Sequence, residues 1–226
     1  MKKVSIIIPC YNEEENIKEC LRQIPEMLWE TEIIVVDDGS TDKTAEFARL
    51  SNKPCLKVIR YEENTGKGAA LRAGIQDSTG DIAVILDADY TSPPSEIPIV
   101  VKPIIDGEAD FVTGTRFRYP MERDAMKKLN MISNRVSAFI MSLLIGQRIT
   151  DSLCGLKAFK KEMLIGKLKE NEWPDFELLL KAKRNNMRIV EIPIHYKARK
   201  TGISKMNTLK GLYHMPMLLI RAVLKQ

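Results

Sequence analysis

At 226 residues, with 44% hydrophobic and 29% charged side chains, the chain has room for one sizeable core and the composition of an ordinary globular domain. A net charge of +5 is too small to make nucleic acid the expected partner, and it suits an anionic substrate or an anionic membrane surface. No apolar run reaches the ~18 residues of a spanning helix, no signal peptide is evident, and Cys10, Cys20, Cys55 and Cys154 show neither a CxxC pair nor metal-ligand spacing, so reduced thiols in a cytosolic protein are expected.

The apolar run Val4 to Ile8, closed by Pro9, reads as a first strand. Helical period follows from Glu13 to Leu28, with Ile17, Leu21, Ile24 and Leu28 on one face and Asn12 as its N-cap. Ile33 to Val36 is a second strand, and Asp37-Asp38-Gly39-Ser40 leads to a short helix from Asp42 to Leu50, capped by Ser40 or Thr41. Leu56 to Tyr61 is a third strand, and Gly66-Lys67-Gly68 opens a helix running to about Asp77. Ile82 to Leu86 is a fourth strand and Phe111 to Gly114 a fifth. Beyond it, Ala125 to Ile145 has the pattern of a long amphipathic helix and Asp151 to Phe159 that of a loop. Phe176 to Arg184 is a helix and Ile189 to Ile194 a strand. Continuous apolar strands alternating with helices predict a mostly parallel sheet covered on both faces, with ligands beyond the carboxyl ends of the strands.

The sharpest signal is Asp87-Ala88-Asp89 at the exit of the fourth strand. An unpaired ionised carboxylate cannot enter a core without a cost of several kcal/mol, so these acids belong at a polar edge with a counter-charge. A capped turn is one reading. The other is a Mg²⁺ or Mn²⁺ site, in which hard carboxylate oxygens share the ion with substrate phosphates and small Ala88 lets the backbone approach a nucleotide sugar. Elsewhere, too, a structural and a functional meaning stand side by side. Asn12 and Glu13 serve a helix cap or a site, and Asp38 a turn or a base and ribose. Gly66-Lys67-Gly68 is a flexible turn or a phosphate cradle, although no Walker A motif is present. Arg116 is a surface ion-pair partner or a fork for a phosphate. Lys197 to Lys205 is a solvated basic loop or a clamp for an anionic acceptor, and Asp175-Phe176-Glu177 caps a helix or faces the site. His195 and His214 are isolated and assemble no triad. The apolar segment Leu212 to Ile220, flanked by Lys205, Lys210, Arg221 and Lys225, packs on the sheet or lies in a membrane interface.

Taken in order, Val4 to Glu13, Val36 to Asp42, Asn64 to Gly68, Asp87-Ala88-Asp89, Gly114-Thr115-Arg116, Asp151 to Gly155 and the Arg199 to Lys205 loop resemble glycosyltransferase family 2, and within it the dolichyl- or polyprenyl-phosphate mannose and glucose synthases. The resemblance implies a single-domain α/β protein of the GT-A fold. Residues 1–115 would form the nucleotide-binding half, 116–205 the acceptor half and 206–226 an amphipathic tail. It implies an inverting hexosyl transfer from a GDP-mannose or UDP-glucose type donor, with Mg²⁺ or Mn²⁺ as cofactor. Pro9, Tyr11, Asn12, Glu13, Asp38, Gly66, Lys67, Gly68, Asp87 and Ala88 would hold the donor, and Asp87 and Asp89 the metal. Arg116, Ser133, Asn134, Arg199, Ser204 and Lys205 would hold the acceptor phosphate, with Asp89 and Arg116 carrying the catalytic step. Many of these synthases place Gln where this chain has Thr91, and some append membrane helices. Attachment here would rest on amphipathic helices at the cytoplasmic face of a membrane, with no nucleic-acid partner and an open oligomeric state. The rivals are a family 2 enzyme with a saccharide hydroxyl as acceptor, using Asp175, Glu177 or Asp151 as base, a dinucleotide oxidoreductase, which would need the missing GxGxxG, and a receiver-like regulator built on an acidic pocket.

Overall fold

The computed structural model describes residues 2–199 and 201. Ser204, Lys205, His214 and the amphipathic tail lie outside the described residues. The first half alternates β1 (Val4–Cys10), α1 (Ile17–Gln23), β2 (Thr31–Asp37), α2 (Thr44–Arg49), β3 (Leu56–Arg60), α3 (Lys67–Asp77), β4 (Ile82–Ile85), α4 (Ile97–Ile105) and β5 (Phe111–Thr115). The second half adds α5 (Lys128–Ile145), β6 (Lys157–Lys160), α6 (Lys161–Leu164), α7 (Pro174–Arg184) and β7 (Ile189–Pro193). One seven-stranded sheet runs in the order β3-β2-β1-β4-β6-β5-β7. β6 is antiparallel to β4 and β5, and the other pairings are parallel.

The period-2 geometry of the strands divides the core. Val4, Ile6 and Ile8 of β1 pack on one face with Ile17 and Leu21 of α1 and Val100 and Ile104 of α4. Ile7, Ile34 and Val36 pack on the other with Leu71 and Ile75 of α3, Met141 and Ile145 of α5 and Leu178 of α7. Both faces are covered, which explains why β1 is buried along its whole length and reads as continuously apolar.

Four local readings are corrected. α1 ends at Gln23, because Ile24 precedes Pro25 and is extended (ψ 118°), as the residue before a proline prefers. Leu28 is therefore outside the helix and 95% exposed. Asn12 is not the cap of α1, whose N-cap position is Asn16, four residues further on; it takes a left-handed conformation (φ 51°) at the tip of β1. Neither Ser40 nor Thr41 caps α2, whose N-cap position is Lys43. β6 occupies the end of the stretch expected to be a loop and runs one residue past it, because a strand of four residues with lysine at both ends carries too little apolar signal. The sequence reading also passed over α4, which accommodates Pro98 in its first turn, where a missing N–H costs nothing, and Pro103 near its end.

Phe111 and Phe159 stack across β5 and β6 with ring centroids 5.8 Å apart, and both are fully buried. Phe159→Ala is expected to destabilise the fold by about 3–5 kcal/mol in chemical denaturation. Leu28→Ala is expected to stay within about 0.5 kcal/mol of the parent; a larger loss would contradict the placement of Leu28 in solvent.

Candidate active site

The carboxyl ends of β1, β2, β4 and β5 open onto a cavity of about 1030 Å³. Pro9, Tyr11 and Glu13 line it from β1, Asp38 from β2, Gly66 and Lys67 from α3, Asp87, Ala88 and Asp89 from β4, and Arg116 from β5. Asn134, Asp175, Trp173 and Arg199 complete the wall from the second half of the chain. Most of the donor residues expected from the sequence thus converge on one space.

The acidic pair is compensated by cations from distant segments. Asp87 Oδ1 pairs with Lys67 Nζ at 2.6 Å, and Asp89 Oδ2 with Arg199 Nη2 at 2.9 Å. The same guanidinium nitrogen reaches Glu13 Oε1 at 2.9 Å. Burial works against charge on both cations, and their acidic neighbours outweigh it, so each stays protonated above its ordinary range. Arg199 belongs to a strap that crosses the cavity. Lys197 N–H donates to the Thr91 carbonyl at 2.9 Å, and Thr201 Oγ1 donates to Asn16 Oδ1 at 2.6 Å.

Backbone geometry aims the acids. Tyr90 holds φ 41°, an uncommon conformation for a bulky residue and one associated with functional turns. Thr91, at the position where many family 2 synthases carry Gln, donates from its hydroxyl to Asp89 Oδ1 at 2.9 Å and from its backbone N–H to the same oxygen at 3.2 Å. Thr91 thereby orients Asp89. Asp87 lies against Gly155, where an added Cβ would meet Asp87 Oδ2 at 1.9 Å, so that wall tolerates only glycine. The donor set fits a hard divalent cation: two carboxylates, 31% and 21% exposed, face the cavity. Among the described residues no group of three or more His, Cys, Asp or Glu side chains is gathered to hold a metal, so substrate oxygens would have to complete the coordination.

Several expected roles change on inspection. The Gly66-Lys67-Gly68 turn is not an open phosphate cradle. Gly66 N–H donates to Asp38 Oδ2 at 2.7 Å, and Gly68 N–H donates to the Asn171 carbonyl at 2.5 Å. A Cβ on Gly68 would lie 2.0 Å from the Glu170 carbonyl oxygen, so this glycine serves close approach of two backbones. Asp38, 2% exposed, organises the same loop by also accepting from Thr65 N–H at 2.9 Å and Thr65 Oγ1 at 2.7 Å. Asn12 likewise ties two strand tips, its Oδ1 accepting from Thr41 N–H at 2.9 Å.

Arg116 does not present an open fork to the cavity. Its Nε and Nη2 hold Asp151 Oδ2 and Oδ1 at 2.6 and 2.8 Å, and its guanidinium lies over the Tyr196 ring at 4.8 Å. Burial opposes both charges, but each stabilises the other more, raising the Arg116 pKa and lowering that of Asp151. Asn134, 1% exposed, donates to Asp151 Oδ1 at 2.7 Å, which makes it a further support of that pair. Ser133 is not among the described cavity-lining residues, and its carbonyl accepts from Ser137 Oγ at 2.9 Å. Thr91, Trp173 and Tyr196 line the cavity although the sequence gives them no donor or acceptor role, and Asp151 and Lys157 stand behind the wall as partners of Arg116 and Asp175. Only the fold supplies the partners of Asp151 and Lys157, which come from β5 and α7. No disulfide joins the cysteines, and burial pushes the Cys154 thiol up to about 11.

The glycosyl transferase family 2 model matches residues 5–166. The chain is 34% identical over 214 residues to the UDP-N-acetylglucosamine–dolichyl-phosphate N-acetylglucosaminyltransferase of Methanococcus voltae, covering 85% of each protein. It is 34% identical over 216 residues to the dolichol-phosphate mannosyltransferase of Pyrococcus furiosus, covering 90% of this chain and 59% of that one. Among solved structures, glucosyl-3-phosphoglycerate synthase from Mycobacterium tuberculosis superposes with a TM-score of 0.77 over 99% of this chain and 79% of its own, at 24% identity, a likeness of fold. Matching motifs, the shared fold and the strand-tip cavity converge: the chain belongs to glycosyltransferase family 2, a glycosyltransferase built on the GT-A fold.

Proposed function

We propose that this glycosyltransferase moves a hexosyl unit from a nucleoside diphosphate to a polyprenyl phosphate at a membrane surface, with inversion at the anomeric carbon. The observation that carries the lipid acceptor is the two-sidedness of α5. Asn130 and Asn134 line the cavity from this helix. On its far side Leu129, Ile132, Val136, Phe139 and Leu143, spaced by three and four residues, are 36–68% exposed. Lys127, Lys128, Arg135 and Arg148 accompany this stripe in sequence, the pattern of a helix that lies in an anionic lipid interface. Both curated relatives are named for dolichyl or dolichol phosphate, which supports the same reading. Among the described residues no helix is long and apolar enough to cross a membrane. We assign residues 1–115 to the donor half and 116–205 to the acceptor half.

Pro9, Tyr11, Glu13 and Asp38 would frame the base and ribose, with Asp87 and Asp89 beside the diphosphate. Asp87 and Asp89 would hold a Mg²⁺ or Mn²⁺ ion, which when bound neutralises charge on the leaving diphosphate. An acceptor phosphate oxygen attacks the anomeric carbon as the bond to the diphosphate breaks, and the electron pair leaves with the nucleoside diphosphate. The phosphate is already anionic, so this chain needs no general base. Its task is to hold two mutually repelling anions in line. Such positioning can supply roughly 7–11 kcal/mol of the barrier. Arg199, held by Asp89 and Glu13 at the cavity wall, is the side chain that would turn to receive the acceptor phosphate. The Arg116–Asp151 pair supports the wall behind it.

Arg199→Ala is expected to raise the KM for a polyprenyl phosphate about tenfold or more and the donor KM by much less. Transfer to a saccharide but not to the lipid phosphate, or unchanged acceptor kinetics in the variant, would reject the acceptor reading. Phe139→Glu with Leu143→Glu is expected to reduce co-sedimentation with vesicles containing anionic lipid, while turnover on a short-chain soluble acceptor persists. Undiminished vesicle binding would remove α5 from the membrane contact.

A further inference from the structure

A second ion pair stands at the back of the cavity. Lys157 of β6 is fully buried, and its ammonium donates to Asp175 Oδ1 and to the Cys154 carbonyl. Such a pair is a poor stability device, because desolvating two charges offsets their attraction and an apolar pair of similar volume often does as well. Its position suggests a different use. Lys157 lies opposite Ile85 at the end of β4 and opposite Thr113 in β5. The backbone of Lys157 is therefore held between the strands that lead to Asp87 and Arg116, and its ammonium reaches from there to Asp175. Asp175 sits in the first turn of α7, where the helix dipole favours a carboxylate. It is 5% exposed, yet it lines the cavity together with Trp173. Lys67, the partner of Asp87, also feels the Asp175 charge.

A fixed carboxylate and an indole lining one cavity are groups that can recognise a pyranose. The apolar ring face lies on the aromatic, and hydroxyl groups donate to the carboxylate. We propose that Asp175 accepts hydrogen bonds from hydroxyl groups of the transferred sugar, and that Lys157 is the positioning residue that fixes Asp175 for this role. The pair then selects the sugar, whereas the strand tips of the first half hold the nucleotide. This assignment rests on the nucleotide-sugar reading above. It locates discrimination in the α7 wall, far along the chain from the acidic turn.

Calorimetry on the whole chain in Mn²⁺ separates the two contributions, with UDP-N-acetylglucosamine beside UDP and GDP-mannose beside GDP as probes. Asp175→Asn alone leaves a buried ammonium short of its partner. The decisive variant is therefore the double Lys157→Met with Asp175→Leu, which removes both charges at similar volume and is expected to melt within a few degrees of the parent. The double variant should bind the intact nucleotide sugar about tenfold more weakly and keep its affinity for the nucleoside diphosphate within about twofold. Lys157→Arg, which keeps the charge, should retain the parent's discrimination. Parental affinity of the double variant for the intact donor would overturn the proposal. An equal loss for donor and nucleoside diphosphate would reduce the pair to structural support and overturn it too. A parent protein that binds neither nucleoside diphosphate would overturn the donor reading itself, and the proposal with it.

Discussion

The exit of β4 imposes the constraint around which the site is organised. A strand buried on both faces ends in two carboxylates, and neither can remain uncompensated at the edge of a core. Lys67 and Arg199 meet that demand from segments on either side of the cavity. On the proposed reading both partners are cations that a metal-bound diphosphate would displace, which would make the compensation exchangeable. Lys197 and Thr201, on either side of Arg199 in the chain, bind Thr91 and Asn16 and so anchor the segment that brings Arg199 to the acids.

Around this centre the supports divide into layers. Thr91 and Gly155 aim Asp89 and Asp87, and Asp38 holds the loop that presents Lys67. Behind them, two buried ion pairs, Arg116–Asp151 and Lys157–Asp175, stiffen the wall contributed by the second half. Buried pairs of this kind contribute little net stability, and on the proposal above the Lys157–Asp175 pair serves to fix a side chain that reads the sugar. The loop tips that carry the chemistry stand on strands with no freedom to shift register, since each strand is buried on both faces.

The first half of the fold is legible because β1, β2 and β4 are mostly apolar runs that lead into prolines or acids. Val4 to Pro9 and Ile82 to Asp87 announce both a strand and its functional end. The second half was harder, because its polar residues are satisfied by one another. Lys157 reads as a surface residue and interrupts the pattern of β6, yet it is fully buried against Asp175. Arg116 was found as a site residue, but its partner Asp151 lies 35 residues away and spacing cannot supply it. The glycines of Gly66-Lys67-Gly68 signal close backbone approach, and sequence alone cannot say whether a phosphate or the Glu170–Asn171 carbonyls approach them. Leu28 was misplaced for a local reason, the proline that ends α1 before the periodicity does.

The account turns on exchangeable compensation of Asp87 and Asp89, and Mn²⁺ calorimetry with and without a nucleoside diphosphate tests it most directly. Two carboxylates already paired to cations should take up the ion only weakly alone, and about a hundredfold more tightly once phosphate oxygens complete its coordination. Equally tight uptake in the absence of nucleotide, or no uptake in its presence, would contradict the account.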